Sequence, residues 1–242
     1  MDYRIILYII FGLLPSLTWL SYYLRKDLHP EPKRMILKIF LWGAVITIPV
    51  FFVQIGAAYF LGQANISPIL TSIIYWFVVI SFSEELFKYF VVKIKVINSP
   101  HLDEPLDAML YMVVAALGFA ALENILYLFS PVSNMSFDQM MNRTLLISFI
   151  RFVGATFLHT LCSAVIGYFL ATSFCFEKKR YLLFFSGLII TTLLHGLYDF
   201  SIMTLDGYAR VAIPVIIILT LAFLVFSGFD KLKKQKGICK IN

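Results

Sequence analysis

Seven stretches of this chain are long and apolar enough to cross a bilayer, and no other feature limits its folding choices so much. A membrane-spanning helix needs about 20 mostly apolar residues. The runs are Tyr3–Leu24, Ile36–Leu61, Ile69–Val92, Leu106–Phe129, Leu145–Phe174, Tyr181–Met203 and Val211–Phe229. The first resembles a signal peptide only superficially, because its apolar run is too long and no small-residue cleavage site follows it. Composition agrees: 60% of the 242 residues are hydrophobic, 24 are Phe, and only 14% are charged. Soluble domains carry about 25% charged residues. A water-soluble enzyme, a disordered chain, a disulfide-rich secreted module and a nucleic-acid binder are thereby excluded.

The net charge of +6 is explained by where the cations stand. Around the first loop are Arg25, Lys26, Lys33, Arg34 and Lys38, and the third loop holds Lys93 and Lys95. The fifth holds Lys178, Lys179 and Arg180, and the tail holds Lys231, Lys233, Lys234, Lys236 and Lys240. These fifteen share one face, against Arg4, Arg143 and Arg210 on the other. The positive-inside rule then predicts an outside N-terminus and a cytosolic C-terminus. The expected fold is an all-α, polytopic transmembrane bundle of about seven spans in a cell membrane of bacterial type. It forms one domain over residues 1–242, with a core at about 69–203. The loops are short, and the prolines of His29-Pro30-Glu31-Pro32 end helices there. Cys162, Cys175 and Cys239 form no C-x-x-C pair and are expected as free thiols.

Inside the spans lie residues that lipid disfavours. Span three has Glu84, Glu85 and Lys88, and span four has Glu123 and Asn124. Span five adds Arg151 and His159, and span six adds His195 and Asp199. A charge at a helix centre costs about 2.5–3.5 kcal/mol on insertion scales, so such groups pair with one another and face the bundle interior or a wet cavity. Glu84 and Lys88 are four apart and Glu85 and Lys88 three apart, so one lysine reaches either carboxylate. His195 and Asp199 also share a helix face. Glu84 and Glu85 stand about 100° apart and cannot do the same job.

Hydrolysis of a peptide bond needs an activated water and a partner for the developing oxyanion. A buried carboxylate can take the proton from water. Two histidines and a carboxylate are the protein ligands of a catalytic zinc site, and His159, His195 and one glutamate, with Glu85 the candidate, supply that set. Without a metal, the histidines would instead donate to the oxyanion. Lys88 sets the charge state of the glutamate pair, Asp199 orients its neighbour His195, and Arg151 partners a carboxylate. Glu123 and Asn124 fit interhelical hydrogen bonding better than direct chemistry. Gly118, Gly154 and Gly167 fit close helix approach. The H-E-x-x-H helix and the G-x-S-x-G elbow are absent. Ser227-Gly228-Phe229-Asp230 lacks the glycine that an aspartyl site would need before its Asp.

The series Glu84-Glu85-x-x-Lys88, Gly118-x-x-x-x-Glu123-Asn124, His159 and His195-x-x-x-Asp199 resembles the motifs of the PrsW protease family. That family is similar to the wider superfamily of CAAX proteases and bacteriocin-processing enzymes. The resemblance covers roughly residues 80–200, about half the chain. Lys88 and Asp199 stand where the superfamily prefers Arg and Asn, as in PrsW-like members. The resemblance implies a peptidase that cuts a membrane-tethered protein, in the best-known case an anti-sigma factor. It implies catalytic roles for Glu84, Glu85, His159, His195 and Asp199. Zn²⁺ is the candidate cofactor, and the partners are the protein substrate and the lipid bilayer, with no nucleic acid.

Another class of protein also uses buried Glu, His and Lys: an ion- or proton-coupled transporter. No inverted repeat and no matching pair of broken helices supports it. A protease predicts that the Glu and His residues converge beside a water-accessible cavity, a transporter that a polar path reaches both faces.

Overall fold

A computed structural model describes residues 3–27, 29–130 and 136–234. Lys236, Cys239 and Lys240 lie outside the described residues. The first two spans are α1 (Tyr3–Leu24) and α2 (Lys33–Gln63). The third is composite: α3 (Pro68–Ile73) continues through a π-helical segment, Ile74–Phe82, into α4 (Ser83–Lys95). Then comes α5 (Pro105–Leu128), followed by α6 (Phe137–Val153) and α7 (Ala155–Cys175), which together form the fifth span. A single 3₁₀ turn, Glu177–Lys179, leads to α8 (Arg180–Thr204) and α9 (Ala209–Leu232). Seven spans are long and apolar enough to cross a membrane, and the described residues contain no strand, as the sequence predicts.

The helices outrun the apolar stretches because polar residues near a bilayer surface can stay helical. α2 starts at Lys33, directly after Pro32. α6 starts at Phe137, well before the expected Leu145, because Ser136 caps it reciprocally. The Gln139 amide N–H donates to Ser136 Oγ at 3.3 Å, and the Ser136 N–H donates to Gln139 Oε1 at 3.0 Å.

α5 is the axis of the bundle. Its most apolar window is 78% buried, against 17–50% for the other spans. Two glycines explain how closely α2 lies against it. A Cβ on Gly118 would stand 1.9 Å from the Phe40 carbonyl oxygen, and one on Gly43 would stand 2.1 Å from that of Ala115. The backbones therefore touch, as small residues allow between membrane helices. Gly167 does the same for α7 against Met109. Gly154 lets Tyr198 of α8 come close, since a Cβ there would stand 2.6 Å from its hydroxyl, and it is also the joint between α6 and α7. Outward-facing Phe52, Phe60, Leu182 and Phe223 stay exposed on α2, α8 and α9, on surfaces suited to lipid.

The loop between α1 and α2 is tied to the start of α5. The Tyr111 hydroxyl donates to Glu31 Oε2 at 2.6 Å, and Asp107 Oδ2 accepts from the N–H groups of Asp103 and Glu104. Cys162 is a buried free thiol, but Cys175 is disulfide-bonded, which corrects the expectation of three free cysteines. Distance along a sequence says nothing about distance in space.

Candidate active site

The polar residues of five spans converge around α4. The π segment ends at Phe82, two residues before Glu84, so wide i→i+5 turns set the angle at which the glutamate pair leaves it. Ser81 Oγ donates to the Thr192 carbonyl at 2.6 Å and Ser83 Oγ to the Val79 carbonyl at 2.5 Å. These bonds pin the segment to α8 and to its own preceding turn. A Cβ on Gly196 would lie 2.8 Å from the Phe77 ring, so that ring lies close against α8.

Each glutamate has its own set of partners. Glu84 Oε2 faces His159 Nδ1 at 3.8 Å, His195 Nε2 at 3.9 Å and Lys88 Nζ at 3.5 Å. Its other oxygen, Oε1, accepts from Gln54 Nε2 of α2 at 3.2 Å. Glu85 is engaged on both oxygens. Lys88 Nζ donates to Oε1 at 2.8 Å, His195 Nδ1 lies 3.0 Å from the same oxygen, and Ser163 Oγ donates to Oε2 at 3.2 Å. Lys88 is fully buried; its Nζ also lies 2.8 Å from His159 Nδ1 and 4.6 Å from the centre of the Phe119 ring.

Both histidines are anchored from behind by carboxylates. His159 Nε2 lies 2.8 Å from Glu123 Oε2, which also accepts from Arg151 at 2.6 Å. His195 is held at Nδ1 by Glu85, while its Nε2 lies 3.3 Å from Asp199 Oδ2. Arg151 in turn donates to Asn124 Oδ1 and stacks on the Tyr127 ring at 4.1 Å. Asn124 Nδ2 donates to the Gly12 carbonyl and to Thr156 Oγ1, joining α1 and α7 to α5.

Glu84, His159 and His195 each offer one ligand atom, and the three lie within 4.8 Å of one another. A bound ion would need only a small contraction from there, and each histidine already has its second nitrogen on a carboxylate, as zinc-binding histidines do. Charge points the same way. Glu84, Glu85, Glu123 and Asp199 face the cations Lys88 and Arg151. With neutral histidines the cluster lacks two positive charges, a deficit one divalent cation cancels. The residues present therefore fit a zinc ion.

The structure gathers all nine singled-out residues, but it divides the glutamates. Glu84, rather than the candidate Glu85, has an oxygen grouped with nitrogens of both histidines in an arrangement that could hold a metal ion. Glu85 lies behind His195. Gln54 and Ser163 were missed by the sequence reading. Gln54 is the only amide on α2 between Lys38 and Gln63, and Ser163 lies one helical turn after His159. A search limited to charged groups passes over both.

The cluster lies well inside the bundle, with Glu84 about 17 Å along the helix from the end of α4 at Lys95. Counted along the helices, His159 is about 24 Å from the end of α7 and Glu123 about 27 Å from the start of α5. Both distances run from the face rich in Lys and Arg. Glu123 and Asp199 are the open members, with side chains 22% and 23% exposed.

A family model described as "PrsW family intramembrane metalloprotease" matches residues 31–227. Relatives named "Protease PrsW" align along nearly their whole length. The one from Bacillus subtilis (strain 168) is 31% identical, covering 94% of this chain and 94% of its own. The one from Geobacillus kaustophilus (strain HTA426) is also 31% identical, covering 95% and 92%. The one from Clostridioides difficile (strain 630) is 28% identical, covering 95% and 91%. No solved structure matches significantly.

Proposed function

The chain belongs to the PrsW family of intramembrane proteases, and from that premise we propose that Glu84, His159 and His195 hold a catalytic zinc ion that serves peptide-bond hydrolysis. The protein is a protease, so the transporter alternative falls away. The observation that carries the zinc reading is the convergence of Glu84 Oε2, His159 Nδ1 and His195 Nε2, with both histidines backed by carboxylates.

When bound, the ion would act as a Lewis acid and lower the pKa of a water molecule. The protein's own groups do the rest. Glu123 and Glu85 fix the ring orientations of His159 and His195 and turn Nδ1 and Nε2, respectively, toward Glu84, where Lys88 and Asp199 now contact them. Asp199 is the partly exposed carboxylate beside His195 Nε2, and it takes the proton from the attacking water. Lys88 neutralises Glu85, so that two adjacent carboxylates can stay ionised in an apolar bundle.

We propose a membrane-tethered protein as substrate, an anti-sigma factor being the one the family resemblance implies. The Lys- and Arg-rich face is read as cytosolic.

A second reading rests on one contact pair. Lys88 Nζ touches His159 Nδ1 and Glu84 Oε2, so its ammonium group fills a cation's role at two of the three ligand atoms. Glu84 would then take the proton from water, and His195 would donate to the oxyanion through Nε2, since Lys88 and Glu123 occupy both nitrogens of His159. Metal content of the purified protein separates the two. Stoichiometric zinc in the wild type, lost in His159→Ala and His195→Ala, is expected. No metal in a preparation that cleaves a membrane-tethered protein would favour the ammonium reading.

A further inference from the structure

We infer that Gln54 of α2 is a positioning residue for the reaction: its side-chain amide holds Glu84 Oε1 and so turns Oε2 toward His159 and His195. This inference rests on the zinc reading above. α2 carries none of the motif residues and from Ile39 to Gly62 has no charged side chain. An amide in such a stretch needs a partner, because lipid offers none. Gln54 finds its partner across the helix interface, where Nε2 lies 3.2 Å from Glu84 Oε1. The donor assignment follows from the partner, since an ionised carboxylate only accepts.

The contact divides the two oxygens of Glu84. The neighbours of Oε2 are the two histidine nitrogens and Lys88, whereas Oε1 has Gln54. Glu85 needs no comparable help, because Lys88, His195 and Ser163 already fix it. Glu84 lies 4% exposed among hydrophobic helices, and a partial turn of its carboxylate would carry Oε2 away from the two histidine nitrogens. Gln54 removes that freedom, as groups behind a metal ligand do, with a typical 10–100-fold loss in metal affinity or activity when they are changed.

The bland alternative is that Gln54 merely glues α2 to α4. Purified full-length protein, loaded with Co²⁺ as a visible-absorbing probe of the zinc position, separates the two. Co²⁺ affinity is measured by chelator competition, alongside the absorption spectrum and the thermal midpoint, for wild type, Gln54→Leu and Gln54→Glu. Gln54→Glu keeps the size but sets a carboxylate against Glu84. The expected result is about 10–100-fold weaker Co²⁺ binding in Gln54→Leu, with an altered spectrum, and at least as large a loss in Gln54→Glu. Variants that lose thermal stability but keep wild-type Co²⁺ affinity and spectrum would overturn the inference and leave glue as the role. Wild-type protein that takes up no Co²⁺ would sink the zinc reading itself, and the inference with it.

Discussion

His159 and Glu123 meet through Nε2 and Oε2 at 2.8 Å, and that one carboxylate oxygen also accepts from Arg151. The imidazole is therefore held from α5, while the arginine holding the carboxylate comes from α6. Glu123→Gln keeps the volume but removes the charge that fixes the histidine. It should lower zinc affinity and cleavage about 10–100-fold, measured by chelator competition and by the initial rate on a membrane-tethered substrate. Wild-type values for both would show that His159 is oriented without Glu123.

Lys88 and Glu85 form a fully buried ion pair at 2.8 Å. Breaking a buried pair from one side typically costs about 3–5 kcal/mol, because the other charge stays behind unpaired. Lys88→Met should therefore lower the thermal midpoint in detergent strongly, and Lys88→Met with Glu85→Gln should recover part of it. The double variant stays inactive, since Glu85 also anchors His195. A double variant no more stable than the single one would mean that Lys88 stabilises by packing alone.

Gly118 and Gly56 make a matched test of close packing. A Cβ on Gly118 would collide with the Phe40 carbonyl oxygen at 1.9 Å, whereas one on Gly56 meets nothing within 4 Å. Gly118→Ala should destabilise by at least the about 1–3 kcal/mol typical of overpacking, because backbone cannot step aside. Gly56→Ala should fold as the wild type does. Thermal unfolding of both in the same detergent checks this, and equal midpoints would contradict the contact between α2 and α5.

Glu31 lies in the loop before α2, where burial and the neighbouring Asp103 push its carboxyl above the usual range, although the Tyr111 hydroxyl opposes them. A carboxyl with a raised pKa in the folded state binds its proton more tightly there than in the unfolded chain. Stability from this group is thus greatest at low pH and falls as pH rises from the ordinary carboxylate value through the folded one. Glu31→Gln should flatten the decline of the thermal midpoint over that window. An unchanged pH profile would assign the decline to other groups.

How much of this was legible in the sequence differs from residue to residue. The spans and the polar cluster were readable because lipid penalises misplaced charge so heavily that Glu84, His159 and His195 stand out from their apolar surroundings. The choice between Glu84 and Glu85 was not readable. Their separation by 100° says that they differ, but the rotation of α4 is set by the π segment and by Phe77 against Gly196, which hydropathy does not register. Gln54 carries no charge and passed unnoticed among Phe and Val. The joint at Gly154 was hidden because no turn-forming cluster separates α6 from α7, and the stretch stays apolar enough overall to read as one span.

The π-helical segment Ile74–Phe82 makes the third span sensitive to its reading frame. Each residue of a regular helix turns the chain by about 100°, which is also the angle between Glu84 and Glu85. Removing any one residue from the segment would advance everything after it by one place and bring Glu85 to the position Glu84 now holds. Lys88 would move with both glutamates and lose its contacts with His159 and the Phe119 ring instead. Substitutions within these nine residues leave the frame as it is, even at Ser81 and Phe77, which contact α8. A deletion shifts the whole motif, so the length of this stretch is more tightly constrained than its spelling.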